Sequence, residues 1–204
     1  MTIAAASCSV KIYINMKTPK RRIKFLERSE VEKIIAGIKP KSGREKRDYA
    51  LMHTLFSTGM RVSEALALQA DEVILLLREK GTSELPIIGK GGWQRVVFFS
   101  QESKNAIKKY MDSIEWMQVA DERLFRITPR AVQKMVKIRA ASAGFADRNI
   151  TPHTFRHSLA THLLQKGANI RIVQEILGHK ALGTTMVYTG VTNKDLMEAH
   201  ARFI

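Results

Sequence analysis

Across 204 residues, 34 lysines and arginines face 19 aspartates and glutamates, a formal charge of +15 with histidine neutral. A chain of this length can bury the core of one ordinary soluble domain, and its surplus of positive charge points to a polyanionic partner, nucleic acid first and an anionic membrane second. Its single cysteine, Cys8, excludes an internal disulfide and suits a reducing cytosol.

The opening MTIAAASCSVKIYINM has neither a basic n-region nor a long apolar run, which argues against a signal peptide or membrane anchor. Alternation over Ser9 to Ile14 reads as a short strand. The next eight residues, KTPKRRIK, carry five positive charges on Lys17, Lys20, Arg21, Arg22 and Lys24; such a run is either a solvated tail or an arm for an anionic backbone. Ser29 is placed to cap a helix over Glu30 to Ile38, with Val31, Ile34, Ile35 and Ile38 as its apolar stripe. A second helix, about Arg44 to Ser57, turns Tyr49, Met52, Leu55 and Phe56 inward. It carries His53 as a core or boundary histidine and breaks at Gly59. Arg61 to Leu68 forms a short helix that Arg61 opens, so the arginine side chain can point off its end, with Glu64 one turn on to hold it or a neighbour.

Three strands follow by pattern. Val73 to Leu77 is a short apolar run between Asp71 and Gly81, and Leu85 to Gly89 and Trp93 to Phe99 flank the hairpin turn Lys90-Gly91-Gly92. Pro86 places the first hairpin strand at an edge. Gln101 to Met117 is an amphipathic helix. Thr128 to Ala143 is another, opened by Pro129 and ended by Gly144, whose Arg130, Lys134, Lys137 and Arg139 form a basic face suited to phosphates. The expected class is therefore α+β, mainly helical, with a small antiparallel three-stranded sheet at one edge.

The stretch from Thr151 to Val191 is the densest in chemistry: TPHTFRHSLATHLLQKGANIRIVQEILGHKALGTTMVYTGV. Thr151 and Pro152 open a helix that Gly167 closes; Asn169 caps a second, Ile170 to Leu177, which stops at Gly178. His153 and Arg156 are three apart and share a face. His179 follows the second helix, and Tyr188 lies near the end of a third segment. Two imidazoles, a guanidinium and a phenol can thus converge on one anionic group, arginine gripping phosphate with a planar fork and a phenol attacking phosphorus. After Tyr188, Thr192 or Asn193 caps a last helix through Ala201 with Leu196, Ala199 and Phe203 as its apolar stripe.

The run H-x-x-R-H-S…L-G-H…Y resembles the second signature box of the tyrosine recombinases, the phage-integrase and Xer-like enzymes. The first box, Thr58-Gly59-Met60-Arg61-Val62-Ser63-Glu64, and the hairpin Gly89-Lys90-Gly91 stand in the family's order. The likeness runs from about Phe25 to the C-terminus. It implies a tail or linker over 1–24 and a catalytic domain over 25–204, the family's helical core-binding domain being absent. Three origins fit such a short chain: a naturally short recombinase, a fragment of a longer gene, or a cut piece. Where relatives place a second lysine after the Gly-Lys-Gly turn, this sequence has Trp93 and Gln94, so Lys90 is the lysine candidate on the turn.

What the resemblance implies is site-specific cleavage and rejoining of double-stranded DNA with no metal and no nucleotide cofactor. Arg61 and Arg156 would neutralise the non-bridging phosphate oxygens and His179 would add a hydrogen bond. Tyr188 would be the nucleophile, His153 would take or share its proton, and Lys90 would protonate the departing 5′-oxygen. Glu64 would orient rather than react. The product, a 3′-phosphotyrosyl link, would be rejoined to a new 5′-hydroxyl. The DNA contacts would be Lys17, Lys20, Arg21, Arg22 and Lys24 with Arg130, Lys134 and Lys137. The family also implies a homotetramer linked by exchanged C-terminal segments, a cytoplasmic protein bound to the nucleoid. His153 and His157, four apart, are a conceivable metal pair, but no H-E-x-x-H register or cysteine cluster supports one; His157 and His162 are expected to pack or hydrogen-bond around the site. The rival readings are a catalytically silent DNA-binding regulator and a metal-dependent nuclease.

Overall fold

Short polar caps decide where the helices begin. The computed structural model describes residues 25–89, 92, 94–114, 122–178 and 192–203. Helix α1 (Arg28–Ala36) starts at Glu27, whose N–H is held by the Glu30 carboxylate at 2.9 Å. Helix α2 (Gly43–Thr58) starts at Ser42, which exchanges hydrogen bonds with Glu45 through the reciprocal pattern of a capping box. It ends at Gly59, which takes the left-handed conformation with φ 60°. The first box then folds as a short helix α3 (Val62–Ala65) with Arg61 as its N-cap.

The run Val73 to Leu77, expected as a strand, is helical. It lies in α4 (Ala70–Leu76), with Leu77 as the C-cap. A five-residue apolar run fits a buried strand or a helix segment equally well, and the polar residues ahead of it decide. Gln69 is the N-cap, with Asp71 and Glu72 in the first turn, where negative charge favours a helix N-terminus. Val73 and Leu76, three apart, are buried, while Ile74 and Leu75 are 43% and 64% exposed. The sheet among the described residues is therefore two-stranded: β1 (Ser83–Ile88) pairs antiparallel with β2 (Gln94–Phe99), Ser83 opposite Phe99 and Ile88 opposite Gln94.

Helix α5 (Gln101–Met111) ends six residues before its expected limit, with its C-cap at Asp112; residues 115–117 of the expected span lie outside the described residues. Helix α6 (Pro129–Ala140) has Thr128 as its N-cap and Pro129 at its start, and it runs on into a π turn, Ala141–Phe145, where Gly144 has φ 94°. Helix α7 (Pro152–Gln165) begins at Thr151, whose N–H donates to Thr154 Oγ1 at 3.1 Å. Helix α8 (Ile170–Leu177) begins at Asn169, which accepts from the Arg171 N–H at 2.9 Å, and stops at Gly178 with φ 63°. Helix α9 (Asn193–Phe203) is capped by Thr192 and Asp195 in reciprocal bonds. None of the described helices is long and apolar enough to cross a membrane.

The strand β2 divides two apolar clusters because successive side chains leave opposite faces. Val97 and Phe99 join the large core built from Val31, Leu51, Leu55, Ile107, Val136 and Phe155. Phe98 joins the smaller one, made with Leu159, Leu163, Val173, Ile176, Leu177 and Leu196. Leu196 brings α9 into that second cluster, and His200 is fully buried with Nε2 2.6 Å from the Ser57 carbonyl. In the single chain the C-terminal helix thus packs on its own domain.

Candidate active site

The first box turns sharply because Thr58 and Gly59 make it do so. Thr58 Oγ1 donates to the Thr54 carbonyl at 2.7 Å and accepts from the Met60 N–H at 3.1 Å, which closes the turn locally. Gly59 is required twice. Its φ is positive, and a Cβ there would stand 2.6 Å from Leu177 Cδ2 and 2.7 Å from Leu159 Cδ2. That close approach lets α7 and α8 sit against the end of α2.

Arg61 leaves this turn with its side chain 35% exposed, as expected of a residue that opens a helix. Glu64, one turn on, is 4% exposed and receives three bonds. The Arg61 N–H donates to Oε2 at 2.8 Å, Arg61 Nη1 to Oε1 at 2.8 Å, and Arg95 Nη2 to Oε2 at 2.9 Å. Burial alone would raise the Glu64 pKa; the Arg61 amide and the two guanidinium groups outweigh it and hold the pKa below the ordinary carboxylate value. The carboxylate is therefore charged, and it orients both arginines.

Arg156 lies on the buried side of α7 at 4% exposure. Its Nη1 donates to the Gly59 carbonyl at 2.5 Å and its Nη2 to the Leu177 carbonyl. One guanidinium thus ties the first box to the C-terminal end of α8. Burial, then the neighbouring positive charges of Arg61 and Arg95, lower its pKa to about 10, with Glu64 opposing. Arg61 and Arg95 share the Glu64 carboxylate while Arg156 is bonded to carbonyls, so three guanidinium groups face one carboxylate and a binding anion meets uncompensated positive charge.

His153 stands three residues before Arg156, on the exposed side of α7. Partial burial lowers its pKa first, followed by the charges of His157, Arg156 and Arg61. At neutral pH it is an uncharged imidazole able to accept a proton. His157 lies against it edge to face, ring centres 5.7 Å apart. His162 packs, as expected: it is buried against Phe56 at 5.9 Å, in the packing of α7 on α2. His53 sits on α2 against Tyr49 at 4.5 Å, its pKa lowered to about 4 by burial, as a boundary histidine should be.

Arg61 and His153 line one open groove of about 700 Å³ together with Arg130, Lys134 and Lys137 of α6. Those three α6 residues are spaced by four and three and so project on one side of the helix. Arg139 does not join them. Nine residues from Arg130, it lies on the opposite side of α6 and pairs with buried Asp48 at 3.5 Å. Among the described residues, no group of three His, Cys, Asp or Glu side chains is placed to hold a metal ion. Lys17, Lys20, Arg21, Arg22, Lys24, Lys90, His179 and Tyr188 lie outside the described residues. Gly178, the C-cap of α8, is the residue before His179.

Arg95 is the site residue that the sequence reading passed over. Its signal is there in retrospect: period-two alternation puts Arg95 on the strand face of Val97 and Phe99, both core residues, and a charge on a core face requires a partner.

The sequence pattern of the phage integrase family matches residues 24–195. The tyrosine recombinase XerD of Oceanobacillus iheyensis is 34% identical over 203 residues, covering 93% of this chain and 66% of that protein. The tyrosine recombinase XerA of Pyrococcus furiosus is 38% identical over 194 residues, covering 92% of this chain and 64% of the relative. The chain thus spans slightly less than two thirds of the relatives it matches. Among solved structures, XerH recombinase bound to its difH substrate in a pre-cleavage complex superposes with a TM-score of 0.68 at 29% identity, over 78% of this chain and 47% of that one. With Arg61 held by Glu64 within the first box and Arg156 of the second box bonded to the Gly59 carbonyl of the first, the chain belongs to the phage integrase family, the tyrosine recombinases.

Proposed function

We propose that this protein is a site-specific recombinase that cleaves and rejoins double-stranded DNA through a covalent 3′-phosphotyrosyl intermediate on Tyr188. The observation that carries this reading is the shared groove: Arg61 and His153 open onto the same surface as Arg130, Lys134 and Lys137, with Arg156 locked behind them. A phosphodiester resists attack because its charge repels nucleophiles and its leaving alkoxide is unstable. Arg61 and Arg156 offset the charge that develops on the non-bridging oxygens, and His179 adds a donor to them. Neutral His153 takes or shares the proton of Tyr188, whose oxygen bonds to phosphorus as the bond to the 5′-oxygen breaks. Lys90, between β1 and β2, delivers a proton to that oxygen. The phosphotyrosyl bond stores the energy of the broken linkage, so rejoining to a new 5′-hydroxyl needs neither ATP nor a metal ion.

In this reading residues 25–204 form the catalytic domain, and the basic run of Lys17, Lys20, Arg21, Arg22 and Lys24 forms an arm along the DNA backbone. The α6 residues Arg130, Lys134 and Lys137 take the phosphates beside the reacting one. Four copies assemble on two DNA sites, each releasing α9 from its own second cluster and docking it on a neighbour, and the protein works in the cytoplasm on the nucleoid. The likeness to XerH recombinase bound to its difH substrate, in pre-cleavage and post-cleavage complexes, supports DNA as the partner.

The test is a duplex nicked close to the cleavage site, which traps the intermediate as the small product diffuses away. Wild-type protein is expected to form an adduct stable to denaturant, and Tyr188→Phe to bind the same duplex without forming one. DNA binding with no adduct from the wild type would return the chain to the reading of a silent regulator.

A further inference from the structure

We infer that Arg95 is a positioning residue of this active site, setting the separation between the Arg61–Glu64 pair on α3 and the C-terminal end of α8. This role presupposes the strand-cleaving activity proposed above.

Three features lead to it. The planar fork of Arg95 spans the two elements, with Nη2 2.9 Å from Glu64 Oε2 and Nη1 2.6 Å from the Ile176 carbonyl. Glu64 Oε2 also accepts the Arg61 N–H at 2.8 Å while Oε1 accepts Arg61 Nη1, so movement of Arg95 displaces the carboxylate that aims Arg61. Gly178 makes room for the stem of Arg95: a Cβ there would stand 2.3 Å from Arg95 Cδ and 2.8 Å from Nε.

The consequence lies in the carbonyls at the end of α8. A helix leaves its last carbonyls without partners inside the helix, and they carry partial negative charge. Here the adjacent carbonyls of Ile176 and Leu177 are taken by Arg95 and Arg156 respectively. Arg156 and Arg95 thereby hold α8 from two sides, two residues before His179. Arg95 itself is 10% exposed against 35% for Arg61, and it acts on the reaction through the groups it holds. A lysine would keep the charge but lose the fork, because an ammonium is a compact point charge and cannot present two parallel N–H groups to partners on different elements.

The experiment compares wild type, Arg95→Met, Arg95→Lys, Glu64→Gln and the Arg95→Met/Glu64→Gln double variant. Adduct formation is followed at saturating nicked duplex, DNA affinity is measured separately, and hydrogen exchange is recorded at the amides of Gln174 to Gly178. Arg95→Met is expected to cut the adduct rate by about 100-fold at unchanged affinity, the scale of a misplaced catalytic group. Arg95→Lys should be slowed nearly as much, the double variant little more than either single one, and the α8 amides should exchange faster in both Arg95 variants. A wild-type rate in Arg95→Lys, or fully additive losses in the double variant, would overturn the role, as would unchanged exchange in α8. Failure of both Arg95 variants to fold would make the residue a folding requirement and overturn it too. Absence of adduct from the wild type would count against the recombinase reading, while the exchange measurement would still decide whether Arg95 holds α8.

Discussion

Arg156 is anchored to Gly59, its Nη1 donating to the Gly59 carbonyl at 2.5 Å, so the second signature box takes its position from the first. Gly59 is hemmed in by Leu159 and Leu177 and has φ 60°. Gly59→Ala should therefore lose about 1–2 kcal/mol to the left-handed backbone and about 1–3 kcal/mol more to overpacking. Urea unfolding measures the sum. Cleavage should fall further than the folded fraction, because Arg156 loses its reference point. An alanine variant with wild-type stability and rate would mean the turn is not what sets Arg156.

The depressed pKa of His153 makes a kinetic prediction. On the mechanism proposed above the unprotonated imidazole accepts the proton from Tyr188, so cleavage should rise with pH through the histidine's pKa and be level above it. That acid limb should lie below 6.5, the ordinary histidine value, because burial and three positively charged or imidazole neighbours lower the pKa. His153→Gln should lose the limb and slow cleavage by about 100-fold. A limb centred above 6.5 would put the proton elsewhere.

Salt dependence separates the two sides of α6. Arg130→Ala, Lys134→Ala and Lys137→Ala should each weaken DNA binding and reduce the slope of log affinity against log salt by about 1. Arg139→Ala should leave the slope unchanged, since Arg139 faces Asp48. Equal effects from all four would show that the whole helix surface, and not one groove, meets the backbone.

His200 ties stability to pH. Burial holds its pKa at about 4 against an ordinary 6.5. The unfolded chain takes up the proton as pH falls below 6.5, while the folded chain resists it until about 4. Stability present above pH 6.5 is therefore lost across that window, by about 3 kcal/mol for this one residue. His200→Gln should be less stable than wild type at pH 7.5 and flatter between pH 7.5 and 4.5. Equal pH slopes in urea unfolding would contradict the assignment.

Much of the site could be read from residue order because its local signals agree with its tertiary packing. Thr151-Pro152 and Asn169 open α7 and α8 where capping chemistry says they should, and Gly178 closes α8. His153 and Arg156 follow from helical spacing. The failures are equally physical. Val73 to Leu77 is too short for periodicity to distinguish strand from helix, and its cap at Gln69 carried the answer. Arg139 looks like one more charge in a basic run until the helix is wound and Asp48, 91 residues away, claims it. Arg95 needed two long-range partners, Glu64 and Ile176, 31 and 81 residues away, before its place could be seen. The stripe on α9 was legible, and in the single chain its Leu196 enters the pocket built by α7, α8 and β2.

Peptide mapping of the trapped adduct locates the proposed covalent bond between Tyr188 and a DNA 3′-phosphate. Protein incubated with the nicked duplex would be digested with nuclease and protease and the nucleotide-bearing peptide identified by mass spectrometry. One modified peptide is expected, with the added mass of a 3′-phosphorylated nucleotide on Tyr188, and a free 5′-hydroxyl on the released strand. Modification of another residue, or a 5′-phosphate on the released strand, would contradict it.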